Sequence, residues 1–339
     1  MKKLFGFLFI LLLLVAGVLG WILFAPATQF EEKGKYLHVY EKQTAATEVI
    51  TQLEDGGIIR NPGLFKLLAT QLDVWNRIKP GRFEISKGQS LFSIVRMLRN
   101  NKQVPSKLVI NKIRTREDLA RLIGKNFRVD SATAIQFLNN NDSLQSFGAD
   151  TNTVMTLVIP DTYVFNWSTP VRKILARLQD EQQQFWTAER REKATNQNLT
   201  TSQVYALASI VEEETNANQE KGNIASVYMN RLNKGMALGA DPTVKFALKN
   251  FALRRIHNVD LQVASPFNTY RNKGLPPGPI CTPSKITIDA VLNAPRTDYL
   301  FFVASAELNG THHFSATYAE HMQYAKAYHQ ELNERDIHK

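Results

Sequence analysis

The chain has a single cysteine, Cys281, in 339 residues, so no intrachain disulfide can staple it. Set among prolines, its thiol reads as inert rather than as a nucleophile. His-Glu-x-x-His, Gly-x-Ser-x-Gly, a P-loop and a dinucleotide fingerprint are all missing. His312, His313 and His321 have no acidic partner at metal-ligand spacing, so neither a metal nor a cofactor is expected. No arginine-rich run or nucleic-acid motif accompanies the formal net charge of +10, and the basic residues are spread along the chain. Such a balance suits anionic lipid, an anionic polymer or nucleic acid, and equally a merely scattered basic surface. With 21% charged and 44% hydrophobic residues, the composition excludes a disordered chain. The length allows two or three domains with cores of their own.

What is present begins at the N-terminus. Met1-Lys2-Lys3 precedes Leu4 to Phe24, which carries no charged residue. As a helix this run is about 30 Å long, the thickness of a bilayer core. Trp21 and Phe24 stand at its far end, where aromatic anchors are common. The two lysines predict a cytoplasmic tail at 1–3, a transmembrane anchor at 4–24 and everything beyond facing outward. The alternative is a cleaved signal peptide ending at Ala25-Pro26-Ala27, but the apolar run is long for that purpose and Pro26 fits poorly.

Residues 25–35 read as a linker. Patterning then predicts a strand at Tyr36–Tyr40, a helix from Thr44 to Leu53 and another from Asn61-Pro62. Gly81–Ser86 predicts a strand, Ser90 caps a helix, Pro105–Ile110 predicts a strand and Thr115 caps a helix. Gly81 to Ile110, with Lys87-Gly-Gln-Ser-Leu-Phe-Ser-Ile94, resembles the small LysM glycan-binding fold. Residues 126–165 look irregular and polar. A domain boundary is expected near 165–170, dividing a LysM-like region (36–165) from a second domain (166–339). In the latter we expect one helical run from Val171 to about Glu192, helices at Thr201–Ala217, Glu220–Leu232, Ile286–Leu292 and Tyr318–Glu334, and strands at Tyr299–Val303 and His312–Ser315. The fold class is therefore α+β: an N-terminal transmembrane helix, a LysM-like α/β subdomain and a mixed α+β domain.

The chemistry concentrates in Ala206-Leu-Ala-Ser-Ile-Val-Glu-Glu-Glu-Thr215. Leu207, Ile210, Val211 and Glu214 stand at i, i+3, i+4 and i+7, one face of a helix. A core stripe that would ordinarily continue with leucine continues with Glu214. Burying an unpaired carboxylate is costly, so such a glutamate is neutral, partnered or at a site. The plain alternative is a helix-end charge reaching past its stripe. A carboxyl kept protonated near pH 7 suits general acid catalysis on a glycosidic oxygen. Glu212 lies two residues away and points elsewhere, so the two cannot form a glycosidase carboxylate pair. Glu212 reads as a supporting or surface residue, and Glu213 as solvated. Asp241 in Asp241-Pro-Thr243 reads as a turn starter or as a second acidic group facing Glu214. Asn268 and Tyr270 offer an amide and a phenol suited to sugar hydroxyls and stacking, and are also ordinary loop residues. The loop Gly274-Leu-Pro-Pro-Gly-Pro-Ile280 suits a site wall.

At these residues the chain resembles the YceG-like family of endolytic murein transglycosylases. The family's Ala-Ser-Ile-(Ile/Val)-Glu-x-Glu-Thr motif appears as Ala208–Thr215, and its catalytic second glutamate falls on Glu214. Ile224–Leu232, Asp241–Val244, Asn268–Tyr270, Gly274–Gly278, Tyr299–Ala304, Phe314-Ser315 and Glu320-His321 match in order. Gly239 and Ala240 depart from the family's glutamine and hydroxyl residue before Asp-Pro-Thr, Phe267 replaces a tyrosine, and Cys281 follows Pro-Pro-Gly.

The resemblance implies a lyase that cuts the β-1,4 bond between N-acetylmuramic acid and N-acetylglucosamine within peptidoglycan strands, leaves a 1,6-anhydro end and limits strand length. It implies Glu214 as the catalytic group. Glu212, Asn230, Asp241, Thr243, Asn268, Tyr270, Leu275, Pro276 and Pro277 are then substrate-binding or supporting. It also implies an inner-membrane protein with its bulk outside the cytoplasm, glycan strands and peptidoglycan synthases as partners, and no nucleic acid. A membrane-anchored glycan binder without activity is the alternative.

Overall fold

The structure, a computed structural model, describes residues 2–253 and 255–335, without the side chains of residues 2–4 and Leu19. Met1 of the expected tail and the last four residues of the expected second domain lie outside the described residues. The chain is mixed α+β and divides into two compact units. One comprises residues 1–107, 126–129 and 164–170. The other comprises 108–125, 130–163 and 171–339. The larger unit draws in residues from 108 onward as well as 171–339.

The first unit opens with α1 (Lys2–Phe24). Its stretch Phe5–Phe24 is long and apolar enough to cross a membrane, and none of its described side chains is buried. β1 (Gly34–Val39) and β2 (Gly81–Ser86) pair antiparallel, Gly34 opposite Ser86 and Val39 opposite Gly81. Their alternating apolar residues Leu37, Val39, Phe83 and Ile85 are buried, as a period of two requires of a one-sided sheet. Between them run α2 (Ala45–Asp55), α3 (Pro62–Gln71) and α4 (Val74–Arg77), and α5 (Leu91–Arg99) follows. Asn61 and Ser90 accept from the backbone N–H of Leu64 and Ser93, capping α3 and α5. The segment Gly81–Ile110 does not close on itself: β2 pairs with β1, not with β3 (Ser106–Ile110).

The expectation that 126–165 is irregular is corrected. The chain here forms the end of α6 (Arg116–Asn126), α7 (Ser131–Leu138), α8 (Asn141–Gln145), a 3-10 turn at Val154–Leu157 and β4 (Asp161–Phe165). Its abundant asparagine and aspartate act locally: Asp130 and Asn140 cap α7 and α8. Sparse apolar residues such as Leu138, Leu144, Val154 and Val158 carry the burial.

The single run expected from Val171 to Glu192 is two helices, α9 (Val171–Phe185) and α10 (Ala188–Asn196). The break comes where Phe185 and Trp186 turn inward and Thr187 caps the next helix through Arg190 N–H. Then follow α11 (Thr201–Glu214), α12 (Lys221–Asn233), α13 (Asp241–Ala247), α14 (Lys285–Leu292), β5 (Phe301–Ala304), β6 (His312–Ser315) and α15 (Tyr318–Glu334). β5 and β6 form an antiparallel hairpin, Phe301 opposite Ser315 and Ala304 opposite His312. β5 is half-buried along its length. The core of this unit gathers Leu207, Ile210 and Val211 of α11, Ile224 and Tyr228 of α12, and Ile288 and Val291 of α14.

Candidate active site

α11 begins with a reciprocal cap. Thr200 Oγ1 accepts from Gln203 N–H at 3.2 Å, and Gln203 Oε1 accepts from Thr200 N–H at 2.8 Å. From Val204 to Val211 every residue is buried. The apolar stripe seen in sequence is therefore the centre of a helix enclosed on all sides, not one face of a surface helix. Small residues allow this. Ser209 is fully buried; its hydroxyl donates to Ala206 C=O at 2.7 Å and accepts from Ile280 N–H at 3.0 Å. That last contact ties the Pro-Pro-Gly loop to the helix. The loop is fixed again at Gly278, where a Cβ would stand 1.9 Å from Asn152 C=O, so no side chain fits.

Because α11 is surrounded, all three glutamates at its end are in contact with protein. At a helix C-terminus the backbone dipole disfavours each of them as an anion. Glu212 resolves this with a buried cation. Lys221 Nζ, on a side chain 5% exposed, donates to its Oε2 at 3.2 Å, Ser284 Oγ donates at 3.1 Å, and Thr287 Oγ1 also donates. Burial would raise this carboxyl, but the Thr287 hydroxyl and Lys221 charge together hold it below its usual value. Glu213 pairs with Lys112 at 3.2 Å and Arg114 at 2.8 Å, with its own side chain only 14% exposed. The expectation of a solvated Glu213 is thus corrected.

Glu214 differs. No cation lies within ion-pair distance of it among the described residues. Its Oε1 accepts from the Tyr228 hydroxyl at 2.5 Å. The Tyr228 ring is held edge-on to Phe302 of β5, centroids 5.9 Å apart. Burial pushes the Glu214 carboxyl up to about 7, Asp241 adds to the rise, and the Tyr228 hydroxyl, Lys245 and Arg231 oppose it. Burial and then the Glu214 charge push the Tyr228 phenol up in turn. Glu214 is half-buried and opens onto a hollow of about 450 Å³. The walls include Asn216, Leu308 and Thr311 of the β5–β6 loop region, His312 of β6 and Tyr328 of α15. One protonatable carboxyl at the edge of a mostly apolar hollow is able to give a proton to a bound oxygen and take one back.

The other sequence-selected residues divide into three sets. Asp241 and Tyr270 come together: Tyr270 OH donates to Asp241 Oδ1 at 2.6 Å, and both act electrostatically on, or are acted on by, Glu214. Asp241 opens α13 rather than a simple turn. Burial, then the Asp241 hydrogen bond, raises the Tyr270 phenol above its ordinary range. Thr243 and Asn268 are fully buried. Thr243 Oγ1 donates to Ala240 C=O at 2.6 Å. Asn268 Nδ2 donates to Leu261 and Val263 C=O at 2.9 and 3.0 Å, and its Oδ1 accepts from Tyr270 N–H at 3.0 Å. The sugar contact expected of the Asn268 amide is thus unavailable; it shapes the loop that presents Tyr270. The third set lies apart from Glu214. Asn230 Nδ2 donates to Thr297 and Tyr299 C=O, both at 2.9 Å. Asn230 and Leu275 line a separate hollow of about 790 Å³ that does not include Glu214. Pro276 is buried and Pro277 exposed, and neither lines either hollow.

Gly239 has φ +59°, and its N–H donates to Thr269 C=O at 3.1 Å. A residue with a side chain is strained at this φ. Cys281 is buried, and burial pushes its thiol up, in keeping with an inert group. Sequence reasoning missed Tyr228, Lys221 and Glu220, and weighed His312 only as a metal ligand. The only signal for Tyr228 was its place fourteen residues after Glu214, on the helix that packs against α11.

The model of the YceG-like family matches residues 38–327. Over 178 residues the chain is 33% identical to the endolytic murein transglycosylase of Bacillus subtilis (strain 168), covering 52% of this chain and 49% of that protein. Over 292 residues it is 25% identical to the endolytic murein transglycosylase of Streptococcus pneumoniae serotype 2, covering 76% of this chain and 52% of that protein. The chain thus spans about half the length of these curated relatives. The crystal structure of a yceG-like protein from Listeria monocytogenes aligns with a TM-score of 0.58 and 27% identity, covering 86% of this chain and 99% of that one.

Proposed function

Because the chain belongs to the YceG-like family, we propose that it is an endolytic peptidoglycan lytic transglycosylase. It cuts the β-1,4 bond between N-acetylmuramic acid and N-acetylglucosamine inside a glycan strand. The observation that carries this reading is the Glu214 carboxyl, which has no cation within ion-pair distance among the described residues, is raised to about 7 and lines a hollow. Protonated, Glu214 gives its proton to the leaving glycosidic oxygen as C1 becomes oxocarbenium-like, with help from the 2-acetamido group. As a carboxylate it then takes the proton of the muramoyl 6-hydroxyl, whose oxygen closes on C1 and leaves a 1,6-anhydro end. No water enters, so no second carboxylate is needed to activate one. General acid and base help of this kind contributes roughly a hundred- to ten-thousandfold.

Asp241 and Tyr270 support the acid by their charge and placement; Glu212, Thr243 and Asn268 support the backbone around it. Asn230, Leu275, Pro276 and Pro277 belong to loops and helices further along a bound strand. The region 36–165 binds glycan as LysM-like modules do, ahead of the cleaving region 166–339. α1 anchors the chain in the inner membrane with the remainder outside the cytoplasm, where it meets new strands and their synthases and limits strand length. The two lysines before the apolar run favour that orientation.

Mass spectrometry of fragments released from purified peptidoglycan in ¹⁸O-labelled water tests the reading. Anhydro ends without label are expected. Labelled reducing ends would make the protein a hydrolase, with Asp241 as its second carboxylate. Binding without any cleavage would leave only a membrane-anchored glycan binder.

A further inference from the structure

The hollow above Glu214 holds a second side chain prepared for a ligand, and it comes from the hairpin. Glu220, 8% exposed, directs both carboxylate oxygens at one residue. Its Oε1 accepts from the backbone N–H of His312 at 2.8 Å, and its Oε2 lies 2.9 Å from the Nδ1 of the same imidazole. Phe302 meets this ring edge-on, centroids 5.5 Å apart. The ring is thus fixed from two sides. A carboxylate on Nδ1 keeps a proton on that nitrogen and leaves Nε2 as the ring's other polar atom. His312 Nε2 has no hydrogen-bond partner among the described residues, and His312 lines the hollow with Glu214.

The next residue supplies a control within the fold. His313 points to the other face of the strand, as alternation requires. It stacks on Tyr324 with centroids 4.6 Å apart, and its Nε2 lies 3.3 Å from Ser305 Oγ. His313 does not line the hollow, whereas His312 does, oriented by Glu220 through Nδ1. Beside His312 the hollow offers Asn216 and Thr311 together with Leu308 and Leu332. Such a mixture of a few polar groups and an apolar wall suits a saccharide ring.

We infer that His312 contacts the substrate through a hydrogen bond between Nε2 and a hydroxyl of the saccharide held over Glu214, with Glu220 as the residue that positions it. This rests on the proposed function for its substrate class. It adds a binding group that a purely structural clamp between β6 and the start of α12 does not provide.

Two amide substitutions separate contact from clamp. Asparagine places its amide near Nδ1 and keeps the Glu220 contact; glutamine places one near Nε2. The full chain in detergent, acting on purified peptidoglycan, is the assay. His312→Asn should keep the melting temperature and lose at least tenfold in release of anhydro-ended fragments, and His312→Gln should recover part of that loss. His312→Asn within twofold of the parent would overturn the contact and leave the clamp. A binding measurement guards against failure of the reaction reading itself. With N-acetylglucosamine tetrasaccharide as the probe, Glu214→Gln should bind at least fivefold more tightly than the Glu214→Gln, His312→Asn double variant. Equal binding would overturn the inference even if the parent chain cleaves peptidoglycan. Weakened binding would sustain the contact even if no anhydro ends are ever found.

Discussion

Glu212 and Glu214 stand two residues apart at the end of one helix, yet their surroundings push their protons in opposite directions. Glu212 meets Lys221, Ser284 and Thr287 and is held ionised. Glu214 meets a phenol and an open hollow and is held near neutrality up to about pH 7. Both suffer the same helix C-terminus, so the dipole does not separate them. Deeper burial of Glu214 and the supply of cations do. Lys221, Lys112 and Arg114 neutralise the first two glutamates, and the charges that reach Glu214, Lys245 and Arg231, act only from a distance. A folded chain that compensates two of three adjacent acids and leaves the third to burial has made one proton donor rather than three surface charges.

The largest expected effect breaks the comparison at its active member. Glu214→Gln removes both the acid and the base and should lower release of anhydro-ended fragments by at least a hundredfold, while Glu212→Gln should not. Should Glu212→Gln alone abolish release, the two residues have been assigned each other's roles.

Next comes the compensated member. Lys221→Met leaves the Glu212 carboxylate largely buried without its cation, which costs about 3–5 kcal/mol; thermal unfolding should register a large drop. Adding Glu212→Gln should restore much of it. If Lys221→Met melts with the parent, the pair is not what steadies α11 against α14.

A third effect follows from linkage. The Glu214 carboxyl has an ordinary value of 4.5 and is raised to about 7 in the folded chain. The native state therefore holds this proton more tightly than the unfolded chain. Its stability is intact below pH 4.5 and is lost as pH rises through 7, amounting to about 3 kcal/mol. Glu214→Gln has no such loss, so its stability advantage over the parent should grow from pH 4.5 to 7 and level off above. Denaturant unfolding across that window measures it.

The smallest effects are shifts of opposite sign. The Tyr228 hydroxyl lowers the Glu214 value and Asp241 raises it. Tyr228→Phe should move the alkaline limb of the rate profile to higher pH, and Asp241→Asn should move it lower. Near pH 7 each should alter the rate by less than about tenfold. Shifts in the same direction would mean the limb belongs to another group.

How much of this the sequence discloses depends on how far away each partner lies. Glu214 is legible because Leu207, Ile210 and Val211 set a local period that it completes. The state of Glu213 is not, since Arg114 arrives from 99 residues earlier in the chain. Asn268 has the chemistry of a sugar contact, but its amide is spent on Leu261 and Val263 of its own loop, a matter of backbone path rather than composition. His312 was weighed only as a metal ligand, because its partner Glu220 lies 92 residues away. Residues 126–165 look irregular for a related reason. Their polar side chains cap short helices, and the apolar positions that bury them are too widely spaced to show a period.

Infrared titration of the carboxyl groups tests the central claim most directly. With the Glu214→Gln spectrum subtracted, the parent should show one protonated carboxyl that persists at pH 6 and disappears as pH passes about 7. A difference band that vanishes near pH 4.5 with the ordinary carboxylates would show Glu214 to be ionised like Glu212, and the contrast between them would be gone.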